Sequence, residues 1–257
     1  MSGSTSNEPV STESGIAPRA GRHDLPWAFA AALPVGLMLA FIVSVLVNVD
    51  AADWWLSPES GFFEHATVVV LLPGIAAALY AAARGRFPRR WIRWWILMWA
   101  LACIYFAGEE ASWGQHYFGW GTPEALAGVN KQAETNLHNT HPMLNMQPRS
   151  AVELWMLVGG IVVPIARRIR NKRWRSDVTR PVDWFWPTNA GIAAASMNLV
   201  GRGFDAAYRG FRPESEMHSL LYQLGGSEAR EFFIACFLAV WLCSFGLRAR
   251  LTTRPIQ

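Results

Sequence analysis

Apolar residues in this chain come in blocks about twenty residues long, and that feature narrows the folds open to it. A helix rises about 1.5 Å per residue, so ~20 residues cross the ~30 Å hydrocarbon core of a bilayer. Six such blocks lie at roughly 27–49, 61–83, 91–112, 150–166, 187–205 and 228–247. The first three and the sixth are the clearest. The fourth is short and contains Gly159, Gly160 and Pro164, and the fifth is rich in small residues around Gly191. Small residues let helix backbones approach closely, so the fifth block is expected inside a bundle rather than against lipid. The chain is 52% hydrophobic and only 16% charged, which fits an all-α, polytopic membrane helix bundle of about six transmembrane helices.

The basic residues predict its orientation. Arg84, Arg86, Arg89, Arg90 and Arg93 separate blocks two and three. Arg167, Arg168, Arg170, Lys172, Arg173, Arg175 and Arg180 separate blocks four and five. Arg19 and Arg22 precede the first block, and Arg248, Arg250 and Arg254 follow the last. Positive residues stay on the cytoplasmic side, so both termini are expected in the cytoplasm. The net charge of +4 is then a topology signal that also meets anionic headgroups, and it implies no nucleic-acid partner. Lysine is confined to Lys131 and Lys172, a composition that points to a GC-rich bacterial genome and so to a bacterial inner membrane. Residues 1–25 are polar, without apolar periodicity, and read as a disordered cytoplasmic tail. Residues 26–250 read as one transmembrane domain whose first span is retained rather than cleaved as a signal.

Cys103, Cys236 and Cys243 lack the spacing of a disulfide or metal framework and read as buried small residues. Trp54, Trp55, Trp91, Trp94, Trp95, Trp113, Trp120, Trp174, Trp184 and Trp186 cluster near span ends, where interfacial anchoring accounts for them.

The predicted outer face collects the chemistry. Five of the six histidines fall there: His65, His116, His138, His141 and His218. Charge at the end of a spanning helix is costly unless it faces protein or a wet cavity. Glu59 and Glu64 open the second span, where the helix dipole favours acids. Glu109 and Glu110 close the third, where the dipole opposes them, so they need a cation, a metal or a proton as compensation. Glu109, Ser112, Trp113 and His116 recur at spacings of three and four and share a face if the helix continues, with Glu110 about 100° round. Glu134, His138 and His141 are spaced four and three apart. On a helix they form one stripe of metal-ligand types, whereas Asn136 and Asn139 suit a hydrogen-bonded loop equally well. The segment from Arg202 to His218 mixes both signs and reads as a network of ion pairs, and Glu228 and Glu231 open the last span, where acids suit the dipole; Glu231, the deeper, is the better site candidate of the two.

Gly108-Glu109-Glu110-Ala111-Ser112-Trp113-Gly114-Gln115, followed by Glu134-Thr135-Asn136-Leu137-His138-Asn139, resembles a group of bacterial multi-pass membrane proteins. That group shares a Gly-Glu-Glu-x-Ser-Trp-Gly-Gln segment and a Glu-Thr-Asn-Leu-His-Asn segment, together with an acid pair opening an earlier span. The resemblance covers under half the chain and implies no particular activity. The group often carries Arg at the position of His116. A looser chemical similarity exists to membrane hydrolases of the alkaline ceramidase and adiponectin-receptor type, which hold zinc among helices and cleave lipid amides. This chain has fewer expected spans and no matching His-x-x-x-His.

Two functions of different classes fit these residues. In the first, a divalent metal (Zn, Mn, Fe or Mg) is held by Glu64, Glu134, His138, His141 and His116. Glu109 and Glu110 are then the catalytic carboxylates, with Glu110 as general base, of a hydrolase or transferase acting on a lipid or lipid-linked envelope precursor. In the second, the protein is a non-enzymatic transporter or envelope assembly partner whose acids bind protons, cations or basic groups.

Overall fold

The structure, a computed structural model, describes residues 24–57, 61–130, 134–137, 140–170, 177–211 and 215–253. All regular elements among the described residues are helical. They are α1 (Trp27–Val47), α2 (Ala51–Leu56), α3 (Phe62–Arg84) and α4 (Trp91–Glu110), then, beyond a tight turn, α5 (Gln115–Phe118) and α6 (Glu124–Ala127). Next, α7 (Pro142–Trp155) runs through a π-helical stretch, Met156–Val162, into α8 (Val163–Arg170). The chain ends with α9 (Pro181–Phe185), α10 (Ile192–Tyr208), α11 (Glu216–Leu224) and α12 (Ser227–Thr253).

Five helical stretches among the described residues are long and apolar enough to cross a membrane: Trp27–Val47, Phe62–Arg84, Trp91–Glu110, Met146–Arg170 and Glu216–Thr253. The fourth apolar block extends further in both directions than its hydropathy suggests. The fifth block forms α10, whose 17 residues reach only about 25 Å, so it falls short of the other five. Outward-facing apolar side chains run along the bundle, among them Phe29, Leu39, Val43, Val69, Trp94 and Leu101. In water such a surface would be an aggregation site, whereas hydrocarbon is its natural solvent. This is a membrane protein.

The last helix is the axis of the fold. From Phe232 to Leu238 every residue of α12 is buried, because neighbours surround it on all sides, α3 above all. Close approach of those two helices depends on small residues. A Cβ at Gly74 would lie 2.8 Å from the Ala239 Cα, and one at Gly246 would lie 2.9 Å from the Ala77 Cβ. Without a hydrophobic drive between helices in lipid, this backbone-to-backbone packing carries the association.

Tryptophan plays two roles, which corrects the purely interfacial reading. Trp54, Trp91, Trp94, Trp113 and Trp120 are exposed. Trp55 and Trp184 are buried, and Trp95 stacks on Phe185 and meets Trp99, Trp155 and Trp241 edge-on. Trp155 stacks on Trp186 in the same aromatic cluster. Long flat rings fill the space between helices, and anchoring is left to those that face outward. Cys103 and Cys236 are buried free thiols, and Cys243 is a half-buried one.

The connections gather at two ends. At one, the Arg86 N–H donates to Thr252 Oγ1 (3.2 Å), buried Arg248 donates to the Asp183 carbonyl, and Arg167 pairs with Asp183 at 3.7 Å. Asp24, just before α1, faces the Arg248 charge there, and burial pushes its carboxyl above the ordinary carboxylate range. At the other end, Trp55 Nε1 donates to Ser44 Oγ (2.8 Å), and Arg149 Nη2 donates to the Ser227 carbonyl (3.2 Å). The acid-rich segments lie at this second end.

Candidate functional site

The site begins where α4 stops. After Glu110 the chain turns through Ser112 (φ 42°), Trp113 (φ 54°) and Gly114 (φ 101°). Left-handed backbone costs a non-glycine residue roughly 1–2 kcal/mol, so two such residues need support from their surroundings. Their side chains supply it. Trp113 Nε1 donates to Glu109 Oε1 (2.7 Å), folding the indole back onto the helix. Gly108 makes room for it, since a Cβ there would meet the indole ring at 2.9 Å. Ser112 Oγ donates to Glu134 Oε2 (2.9 Å).

Those contacts tie the turn to the segment 134–137, which runs across it without helical structure. Glu109 Oε2 accepts the Leu137 N–H (2.7 Å). Gln115 Oε1 accepts both the Thr135 N–H (2.7 Å) and the Thr135 hydroxyl (2.6 Å). Asn136 Nδ2 donates to Ser112 Oγ (3.0 Å) and to Glu134 Oε2, while Asn130 Nδ2 donates to the Asn136 carbonyl (2.7 Å) and Oδ1 (2.8 Å). Glu109, Ser112, Asn130, Glu134 and Asn136 are all buried. The two sequence motifs therefore form one buried hydrogen-bonded clasp. Buried polar groups are tolerated only when partnered in this way.

Glu110 takes the opposite direction. Ligand atoms of Glu110, Glu228 and Glu231 lie within 4.8 Å of one another, and Glu64 acts electrostatically on the same group from the start of α3. Arg149 enters from α7: its Nη1 is 2.6 Å from Glu231 Oε1 and its Nε is 3.7 Å from Glu153 Oε1. Glu153 in turn pairs with Arg202, and Arg230 lies 3.9 Å from it and 4.0 Å from Asp205. Like charges this close cannot all persist without cations or protons among them. Arg149 pairs directly with Glu231 and acts on Glu110 and Glu228 only as a weaker influence than the neighbouring carboxylates, while Ser227 Oγ donates to Glu228 Oε1 (3.0 Å). Nearby, His65 Nδ1 and the Tyr117 hydroxyl share a 3.2 Å hydrogen bond. Partial burial and the Glu64 charge push the Tyr117 phenol above its ordinary range.

A cavity of about 180 Å³ opens beside the cluster, between α4, α7 and α12. Glu109, Glu110, Arg149 and Glu231 contribute its charged groups, while Trp99, Ala102, Tyr105, Phe106, Pro148, Val152, Ile234 and Leu238 form the remainder. Glu110 lies eleven steps along α4 from Trp99, so the apolar wall extends about 16 Å below the acids. The Trp99 indole N–H, in that wall, has no acceptor among the described residues.

The sequence-derived ligand set thus divides. Glu110 meets Glu228 and Glu231, with Glu64 close enough for its charge to act on them; of the two acids on α12, sequence singles out Glu231 as the site candidate and leaves Glu228 to the helix dipole. Glu134 belongs to the clasp, and the helical stripe through Glu134 gives way to the loop alternative. His141 is exposed and caps α7, its Nδ1 accepting the Met143 N–H (3.2 Å). His116 sits in α5, but its side chain, like all of His138, Asn139 and Glu59, lies outside the described residues. Sequence reading missed Arg149 and Asn130. Arg149 did carry a signal: it is a basic residue opening a span at the end opposite the arginine-rich connections. The chain matches no family model, no curated protein and no solved structure, so the chemistry rests on this geometry.

Proposed function

We propose that this protein binds the apolar chain of a lipid or lipid-linked molecule in the α4–α7–α12 cavity. Its polar head would be worked on at the Glu64–Glu110–Glu228–Glu231 cluster with a divalent cation, as in a membrane hydrolase or transferase. The observation that carries this reading is the convergence of three carboxylates within 4.8 Å at the head of an apolar cavity. Glu110, Glu228 and Glu231 would hold the ion. An all-oxygen donor set suits Mg or Mn better than Zn. Bound there, the ion would polarise a phosphoryl or carbonyl oxygen and activate a water. Glu64, outside the three-carboxylate group, is the candidate general base. Arg149, already in the cavity wall, orients Glu231 and presents the site's positive charge to an anionic head. Glu109 holds the clasp and is a positioning residue on this reading.

We place the protein in the bacterial inner membrane with six passes, α10 included, and both termini cytoplasmic. The arginine-rich connections support that orientation, as does the gathering of alternate connections at opposite ends of the bundle. Transport fits less well, because the cavity wall beneath Glu110 is formed by Trp99, Ala102, Phe106, Ile234 and Leu238, with Tyr105 adding only a hydroxyl that bonds Glu109, rather than by a polar route.

The test is elemental analysis and Mn²⁺ titration of detergent-purified protein beside Glu110→Gln/Glu231→Gln and Ala102→Phe. Near-stoichiometric metal in the wild type, lost in the double variant, is the expected result. Ala102→Phe narrows the cavity and should keep the metal while losing retention of a lipid probe. Equal metal in wild type and double variant would sink the proposal.

A further inference from the structure

We infer that the arginine-rich end of the bundle carries a built site for an anionic phospholipid, in a groove between the first turn of α1, the end of α8 and the start of α10. The groove encloses about 450 Å³ and is lined by Trp27, Pro164, Ile165, Arg168, Asn189 and Ile192. Pro164 and Ile165 precede Arg168 by four and three residues, so all three share one face of α8. The apolar walls are left open: Trp27 is 61% exposed and Ile165 is 49% exposed. In a membrane protein those faces meet acyl chains.

Charge selects the head. Arg167 is committed to Asp183 at 3.7 Å, whereas Arg168 has no ion-pair partner among the described residues, and it is the one that lines the groove. Its guanidinium offers a planar fork that fits a phosphate, and the Asn189 amide can donate beside it. Among the described residues no Asp or Glu lines the groove, and Asp24, which bonds at nearby Thr188 and Ala190, is half-buried and faces Arg248. The ammonium of a zwitterionic head therefore finds no carboxylate in that lining, while the phosphate of an anionic one finds Arg168. A volume equal to about fifteen waters is more than a free phosphate fills, and the apolar walls would give that ion nothing. The site rests on membrane insertion alone and is independent of the chemistry proposed at the other end.

Native mass spectrometry of the full chain, equilibrated in mixed micelles of phosphatidylglycerol and phosphatidylcholine, tests it. Each variant is read on material that elutes as the wild type does. Wild type should retain phosphatidylglycerol preferentially. Arg168→Gln should reduce that preference about tenfold, the loss of one charge-assisted hydrogen-bonded contact. Arg170→Gln removes the same charge from the same helix end but outside the groove, and should leave the preference intact. Ile192→Trp fills the groove, keeps Arg168, and should also abolish it. Equal effects of Arg168→Gln and Arg170→Gln would reduce the preference to general surface charge and overturn the inference, as would an unchanged preference in Ile192→Trp.

Discussion

Adjacent glutamates with unlike roles give the sharpest prediction. Buried Glu109 accepts from two donors on partly exposed residues, Trp113 Nε1 and the Leu137 N–H, each at 2.7 Å. Glu109→Ala leaves both without that acceptor. An orphaned donor that water can partly reach costs about 1 kcal/mol, the low end of the buried range, so the clasp should weaken by about 2 kcal/mol. With 1.4 kcal/mol per factor of ten, the 134–137 segment should open about thirtyfold more often. Hydrogen–deuterium exchange of the Leu137 amide reads this directly when reclosing is fast. Glu110→Ala removes no hydrogen bond of the clasp, and its Leu137 exchange should match the wild type while cation binding falls. Glu109→Gln should sit between, because its amide oxygen can still accept one of the two donors. Should Glu110→Ala expose Leu137 while Glu109→Ala leaves it protected, the division of labour drawn here would be refuted.

Two further outcomes follow from the packing and the charges. Gly74→Val drives a side chain into the α12 backbone at Ala239 and should destabilise by about 1–3 kcal/mol in detergent unfolding. Gly36→Val, with nothing within 4 Å of its Cβ, should be close to neutral. Burial raises the Asp24 carboxyl, so the folded state holds its proton to higher pH than the unfolded chain does. The contact of Asp24 with the bundle should therefore be strongest below the ordinary carboxylate range, and weaken as pH rises through the elevated folded value. Asp24→Asn should remove that part of the pH dependence of thermal unfolding; an unaltered profile would exclude Asp24 as its source.

Much of the architecture follows from the sequence alone. A run such as 62–84 has only one way to satisfy its backbone in hydrocarbon, so length and hydropathy suffice to make it a spanning helix. Glu64 and Glu110 were legible as candidates because charge at a span end needs a reason. The sequence could not say which neighbours they would meet. Helical periodicity puts Glu109, Ser112, Trp113 and His116 on one face, yet the helix ends at Glu110, and Ser112 and Trp113 are left-handed. That turn is held by contacts 20 to 28 residues away in the chain, from Gln115 to Thr135 and from Glu109 to Leu137, which no local pattern encodes. Likewise Glu228 looks like a dipole-favoured acid, and the deeper Glu231 a candidate without visible partners, until α12 is placed against α3 and α4. Solvation fixes helices locally, residue by residue. A site exists only where side chains from distant helices converge, and tertiary packing alone determines that.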